Sequence, residues 1–582
     1  MTSTLSFSTP DLKGHFSYPA KAQNSLITPP KPEYSSYIFV KQAGLQEGSG
    51  AVTLMGPFLD HKTALELQSL SFLRPGQTEA CFSSIENLEQ ADLRAFWEAS
   101  FFFLQGDYIR AAYCIHAAIE NGLRNPLTTL QKQLQTNEEE EQFLKLLDQF
   151  GELYGPSDAL IELKGLSLIQ LHRLYEAETL LRRRLHKGGR SHNLKTVLVK
   201  ILCEQGVFGE ALALLTDLLT QLPRNWEIMN NLAYLYNNTG EVERALTIYR
   251  HAIIIAPAEA LLRLNHSIAL LKIGRFSQGW QEHEWRLKLP FHTPLPIRKL
   301  LPTLNPGDSL QGKTVLITHE EGLGDAIMYS RYIPILAETG AFIHVWGSEQ
   351  LSPLMEKLKG VGVSQVGGTC PDYDYHCPFI SLPRALTPYP SMPFAVSQPY
   401  LSPSLEKRTQ WQKRLSTIPP HLLRVGLVWS GGVHKDDRNS RLIDYHRSMD
   451  LKEMEPLFGD PLIQYISLQK GPKAKQLAPY SHYILDYMDE CETMEDTAAL
   501  MDALDIVITV DTSMVHLAGS IGKETVLMDR FCNCWRWGIN QSETRWYPSV
   551  RIYRQPSFDD WQPVIRRLCK ELTERALNKA LS

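Results

Sequence analysis

The residues best suited to chemistry in this 582-residue chain fall in three short segments of its second half. Glu321-Gly322-Leu323-Gly324-Asp325 follows the β-branched run Thr314–Thr318 and precedes a helical stretch, Ala326–Leu336. Glycines at a strand-to-helix turn let backbone donors approach a ligand, and the helix start favours anionic groups. Asp325 is expected to cap that helix and point into a cleft; taken alone, a capping aspartate on an ordinary turn is the commoner case. The third glycine of a dinucleotide fingerprint is missing, so the pair is weak evidence for a nicotinamide cofactor. The second segment, Asp511-Thr512-Ser513-Met514-Val515-His516, leaves the apolar run Ile506–Val510 and opens a helix. Two hydroxyls and the free N–H groups of a first helical turn make an anion cradle. His516 falls about one turn further along and is read as facing the same ligand, although an isolated helix histidine is more often simply packed. The third segment runs from Gly426 through Trp429, Ser430, Gly431 and Gly432 to the cations Lys435, Arg438, Arg441 and Arg447. Small residues followed by cations suit a diphosphate, whereas any one of these cations alone reads as part of a solvated loop. Gln469 and Lys470 end another strand of the same half and are placed to line a base pocket. Trp535-Arg536-Trp537 and Trp546-Tyr547-Pro548 are either core packing or an acceptor platform.

Two kinds of element must position these residues. Gly206, Gly240 and Gly274 stand 34 apart, as 240 − 206 and 274 − 240 show, and Ala177, Ala211 and Ala245 repeat the interval. Pro223 and Pro257 do the same. That is the length of a tetratricopeptide repeat, in which glycine permits the turn, alanine lets two helices approach and proline ends the second. The repeats are expected over 92–290, interrupted by Glu138-Glu139-Glu140-Glu141, read as a solvated face or loop. After Pro302, strand candidates Thr314–Thr318, Phe342–Trp346, Val425–Trp429, Gln464–Leu468, Ile506–Val510 and Thr525–Met528 alternate with helical stretches. That alternation predicts parallel α/β layers, with a proline-rich stretch from Ser381 to Pro420 between two halves, 300–420 and 421–582. The fold expected is a helical repeat solenoid followed by two Rossmann-like lobes, with ligands in the cleft between them. Trp561–Leu581 is expected to be an amphipathic helix, and residues 1–60, rich in Pro and Ser, a weakly ordered lead-in.

A net charge of −5 argues against a general nucleic-acid binder. No apolar run approaches the roughly 20 residues of a membrane span, and the start lacks a secretory pattern. Nine scattered cysteines fit reduced thiols, so a cytoplasmic location is expected. Cys532 and Cys534, one residue apart, are too close for usual structural-zinc spacing and read as loop or packing thiols.

The strand–Gly322-Leu323-Gly324-Asp325–helix start and the segment Asp511-Thr512 to His516-Leu517-Ala518-Gly519 together resemble glycosyltransferase family nine, the heptosyltransferases. The chain is more similar still to tetratricopeptide-repeat proteins that carry such a domain. Those proteins show segments like Gly279-Trp280-Gln281-Glu282-His283-Glu284-Trp285-Arg286, His376-Cys377-Pro378-Phe379-Ile380-Ser381-Leu382-Pro383, Trp535-Arg536-Trp537 and Trp546-Tyr547-Pro548. The resemblance covers about Asp158 to Leu572. It implies a GT-B fold without an essential metal or other cofactor. The donor would be a nucleotide sugar, usually ADP-heptose, on the C-terminal lobe, with the acceptor against the N-terminal lobe. Asp325 matches the family's general base, and Thr512, Ser513 and His516 match its diphosphate-binding segment. Arg447-Ser448 resembles an Arg-Ser pair after the basic loop, here preceded by what look like inserted residues, Arg441 to Tyr445. Glu543-Thr544-Arg545 stands where an aspartate-serine-proline run would be expected. With the residue readings above, the nucleotide-sugar site comprises Gly322, Gly324, Ser430, Gly431, Arg447, Gln469, Lys470, Asp511, Thr512, Ser513 and His516. The function implied is inverting sugar transfer, by default of a heptose, to a protein or glycan acceptor, the former held by the repeats. The alternative is a non-catalytic scaffold whose transferase domain has decayed.

Overall fold

The computed structural model describes residues 90–134, 136–289, 295–320, 322–395, 399–432 and 438–582. The 1–60 lead-in, Glu321, Lys435 and the Arg438 side chain lie outside them. The described residues divide into two compact units at Leu214/Leu215.

The first unit is helical. After the pair Ala91–Leu104 and Tyr108–Glu120 come Pro126–Gln133 and Asn137–Tyr154, then regular pairs begin. Helix starts at Asp158, His192, Trp226 and Ala260 advance by 34 residues, as do those at Leu174, Phe208, Val242 and Phe276, the series running on into the second unit. The period survives because its key positions are used alike. Ala177, Ala211 and Ala245 are fully buried, and Gly206, Gly240 and Gly274 adopt φ of 75°, 89° and 81°. His172, 34 residues before Gly206, takes the same left-handed geometry at φ 56°, so the turn imposes the conformation whichever residue stands there. The glutamate run is not uniformly solvated. Thr136 and Glu139 form a capping box, Glu141 pairs with Arg173, and Glu140 is buried.

In the second unit the repeats end in Phe276–His283 and a 3-10 turn, Glu284–Lys288. Two parallel sheets follow. The first contains β1 (Thr314–Thr318), β2 (Phe342–Gly347), β3 (Val361–Val366) and β4 (Tyr375–Pro378), in the order β3-β2-β1-β4. The second contains β5 (Leu423–Val428), β6 (Ile463–Ser467), β7 (Ile484–Asp486), β8 (Ile506–Val510), β9 (Thr525–Asp529) and β10 (Val550–Arg554), in the order β10-β9-β8-β5-β6-β7. From β5 the chain winds outward one way through β7, then returns beside β5 as β8 and winds the other way. This is the dinucleotide-fold order, whose ligand crevice opens at the carboxyl ends of the two strands flanking the reversal, here β5 and β8. The sequence reading missed β3, β4, β7 and β10. β3 has no buried residue, β4 ends in a proline and β7 has three residues, so none carries the apolar run of a central strand. The last helix, Gln562–Leu581, buries Val564, Ile565, Leu568, Leu572 and Ala576.

One aromatic core answers the open question about the tryptophans. Trp535, Trp537, Trp546 and Tyr547 are buried with Met328 of the first lobe, Val515 of the second and Leu264, Ile268 and Trp280 of the last repeat. They are packing residues and offer no acceptor platform. The Ser381–Pro420 stretch is likewise more than a spacer, because Leu401, Trp411, Leu415 and Ile418 enter a core shared by both lobes.

Candidate active site

At the end of β1 the chain turns directly into the helix Leu323–Ser330. The N-cap is Gly322, in extended geometry at φ −89° and ψ 157°. Asp325 therefore does not cap the helix as expected; it is the third helical residue, and its N–H donates to Gly322 O at 3.1 Å. The helix begins three residues earlier than expected because Leu323 and Gly324 already follow helical geometry. Freed from capping, the Asp325 carboxylate accepts a bond from Arg536 of the other lobe, and the pair is 13% and 7% exposed. Burial raises the Asp325 carboxyl, but the neighbouring cation Arg536 leads the groups that lower it, and the net position is about 2. Asp325 is therefore fully ionised at neutral pH.

Thr512 caps the helix Ser513–Ser520, its Oγ1 accepting from Met514 N at 3.2 Å. The two helix starts meet tip to tip. A Cβ on Gly324 would lie 2.8 Å from His516 Cδ2 and 3.3 Å from Ser513 Cα. The absence of a side chain at Gly324 lets the second lobe approach this closely. His516 is 5% exposed, bonds through Nδ1 to Tyr547 OH at 2.9 Å and stacks on Trp537. Burial, then Arg536, push its proton affinity down to about 3, so the ring is neutral. Its surroundings make it a wall between the lobes rather than a group facing open space.

Along the second sheet's carboxyl edge, Asp511 follows β8, Ser430 lies just beyond β5 and Gln469 beyond β6. Gln469 is committed internally. Its Oε1 accepts from Trp429 N (3.1 Å) and Ser430 N (2.9 Å), and its Nε2 donates to Ser430 O and Lys470 O. The Lys470 ammonium donates to Cys491 O. Gln469 and Lys470 thus spend these polar atoms on the neighbouring loops. Gly431 N donates to Ser448 Oγ at 3.0 Å, and a Cβ at Gly431 would run into the Asp444 carboxylate and the Arg447 guanidinium. Arg447 bonds through Nε to Asp444 at 2.9 Å. Beside Gly432 a Cβ would find open space. Asp511, Ser513 and this glycine loop thus flank the β5–β8 crevice, while Asp325, Gly322, Gly324, Thr512, His516 and Arg536 gather where the lobes touch.

Sequence reasoning had not placed Arg536 in the site. It had not found the brace behind the loop either. Arg286 of the last 3-10 turn is fully buried and bonds Glu320 at 2.5 Å, Glu284 at 2.7 Å and Ser381 Oγ at 2.7 Å. Glu320 immediately follows His319 on the path from β1 to Gly322, so the repeat end fixes the loop that carries Asp325. Lys272, also buried, donates to Asn237 O and Asn533 O at 3.0 and 3.4 Å, tying the last repeat to the loop before Trp535. The tryptophans around Arg536 and the charges crowded into Glu282–Arg286 were the available signals.

Residues 202–278 match the tetratricopeptide-repeat family model. The chain carries such repeats ahead of a two-lobed parallel α/β region. It is 24% identical over 438 residues to Protein FlbA of Caulobacter vibrioides, covering 70% of this chain and 72% of that one. Among solved structures, it is similar to E. coli ADP-heptose LPS heptosyltransferase II, with 13% identity, a TM-score of 0.33, and 46% of this chain and 99% of that one covered. For the glycosyl transferase family 9 protein of Veillonella parvula DSM 2008 the values are 12%, 0.33, 47% and 97%. No helix among the described residues is long and apolar enough to cross a membrane.

Proposed function

We propose that the two-lobed region is an inverting glycosyltransferase of GT-B type that uses a nucleotide-sugar donor. The observation that carries this reading is the meeting of the helix start Gly322–Asp325, which follows the first lobe's β1, with the Thr512–His516 helix start beside the second lobe's β5–β8 crevice, Gly324 making the close approach. A donor diphosphate in that crevice lies near the start of the helix Ser513–Ser520, whose dipole stabilises the negative charge that grows as it leaves. The acceptor oxygen attacks the anomeric carbon, the bond to the diphosphate breaks, and Asp325 takes the acceptor's proton. No resident metal is needed in this scheme. The motif resemblance favours an ADP-linked heptose, and the repeats supply a surface for a polypeptide acceptor or for docking on a glycan.

A second reading, a scaffold with a decayed transferase domain, draws on the internal commitment of Gln469, Lys470 and Arg447. The two are separated by titrating ADP and UDP while following the unfolding midpoint, since a ligand of the native state raises it. Release of diphosphate from a panel of nucleotide sugars then identifies the donor. On the enzyme reading Asp325→Asn abolishes transfer without weakening nucleotide binding. Full transfer by that variant removes Asp325 from the reaction, and absence of any nucleotide-induced shift supports the scaffold.

A further inference from the structure

Arg536 is a cation of the site for which the scheme above has no task, and its bonding is uneven. It sits in the 3-10 turn Trp535–Trp537, and its guanidinium makes three bonds. Nη2 donates to Asp325 Oδ1, Nε to Met328 Sδ at 3.2 Å and Nη1 to Cys534 Sγ at 3.1 Å. Thioether and thiol sulfurs are weak acceptors. Two of the three nitrogens of a buried cation are therefore held by poor partners, although a guanidinium is built to grip ionised oxygens through its planar fork. The groups facing the pair are His516 and Asp511 of the second lobe, Tyr329 of the first, and His283 and Arg286 of the last repeat. Both histidines are kept neutral by burial, so Arg536 is the cation in direct contact with Asp325.

We propose that Arg536 is shared between Asp325 and the donor's diphosphate, holding the carboxylate in the free site and turning its sulfur-bonded edge onto phosphate oxygens when the donor arrives. This rests on the nucleotide-sugar reading above. Phosphate oxygens are charged acceptors and replace two neutral sulfurs, so the exchange favours the bound anion. As the guanidinium divides its charge between two anions, its hold on Asp325 weakens. Burial then raises the carboxyl's proton affinity and makes it a stronger base at the moment a donor is present. Arg536 thereby acts as a positioning residue through Asp325, linking donor binding to activation of the base. Two anions competing for one cation must show reciprocal coupling.

The test measures ADP and UDP affinity by calorimetry in the full chain, with thermal melts reporting the fold of each variant. In Asp325→Asn the cation is released, and nucleotide affinity is expected to rise roughly tenfold, the scale of one charge-assisted bond. In Arg536→Gln it falls by a similar factor, and in the double variant the gain from Asp325→Asn disappears. Arg536→Lys keeps the charge but not the fork and is expected to fall between, which preserves the test if the glutamine variant does not fold. An Asp325→Asn affinity equal to the parent's, or a gain that persists undiminished in the double variant, overturns the proposal. Full transfer by Asp325→Asn with the coupling intact upholds the sharing of Arg536 while rejecting Asp325 as the base. No binding of either nucleotide rejects both readings.

Discussion

Replacing Gly324 with alanine sets two energies of opposite sign against each other. Gly324 lies in the first turn of a helix at negative φ, so local propensity favours alanine by up to about 1 kcal/mol. The tertiary term opposes it. The new methyl would approach His516 Cδ2 to 2.8 Å and the backbone Ser513 Cα to 3.3 Å. Neither neighbour moves easily, because the imidazole is bonded to Tyr547 OH and stacked on Trp537, and Ser513 Cα belongs to the helix start. Overpacking of this kind costs about 1–3 kcal/mol, so the net effect is destabilising by up to about 2 kcal/mol. Urea unfolding of Gly324→Ala, His516→Ala and the double variant measures it. In the His516→Ala background the closest contact is gone, and the cost of Gly324→Ala is expected to shrink by about 1 kcal/mol. If Gly324→Ala instead raises stability by the propensity increment, the helix starts do not meet as described and the closed geometry of the site is wrong.

Other perturbations probe the same region and the repeats. His516 stays neutral in the fold, with burial and Arg536 holding its proton affinity near 3, whereas the unfolded chain takes up the proton below about 6.5. Stability is therefore expected to fall by about 1.4 kcal/mol per pH unit as pH drops through that window. His516→Gln should show a shallower slope in pH-dependent denaturation, and equal slopes would refute the buried neutral ring. Arg286→Met leaves Glu320 and Glu284 without their buried partner and should cost about 3–5 kcal/mol, seen as a large drop in melting temperature. His172→Gly relieves a left-handed non-glycine and should stabilise the repeats by about 0.5–1 kcal/mol, and a destabilised variant would show that the histidine's side chain outweighs its backbone cost.

Much of the architecture was legible because it is written in local spacing. A 34-residue interval in glycines, alanines and prolines needs no knowledge of the fold, and the helix starts reproduce it. β1 and β8 were located to the residue and β2, β5, β6 and β9 to within two residues, because buried parallel strands are apolar runs. β3, β4 and β7 are too exposed, too short or too interrupted to register in that way.

The candidate site divides along the same line. The sequence by itself determined which turns end at strand tips and which helices follow them, since glycine, threonine and β-branched residues act on their own neighbours. It therefore brought Asp325, Thr512, Ser513 and His516 forward. Only the tertiary structure decided what those residues touch. The bond from Arg536 to Asp325 spans 211 positions, and that from Arg286 to Ser381 spans 95. Gly324 faces the other lobe's helix, Gln469 and Lys470 spend their polar atoms on neighbouring loops, and the tryptophans turn into a core. No periodicity encodes such contacts, because they depend on how two sheets close on each other, and the energy of an ion pair is set by distance and burial rather than by order along the chain.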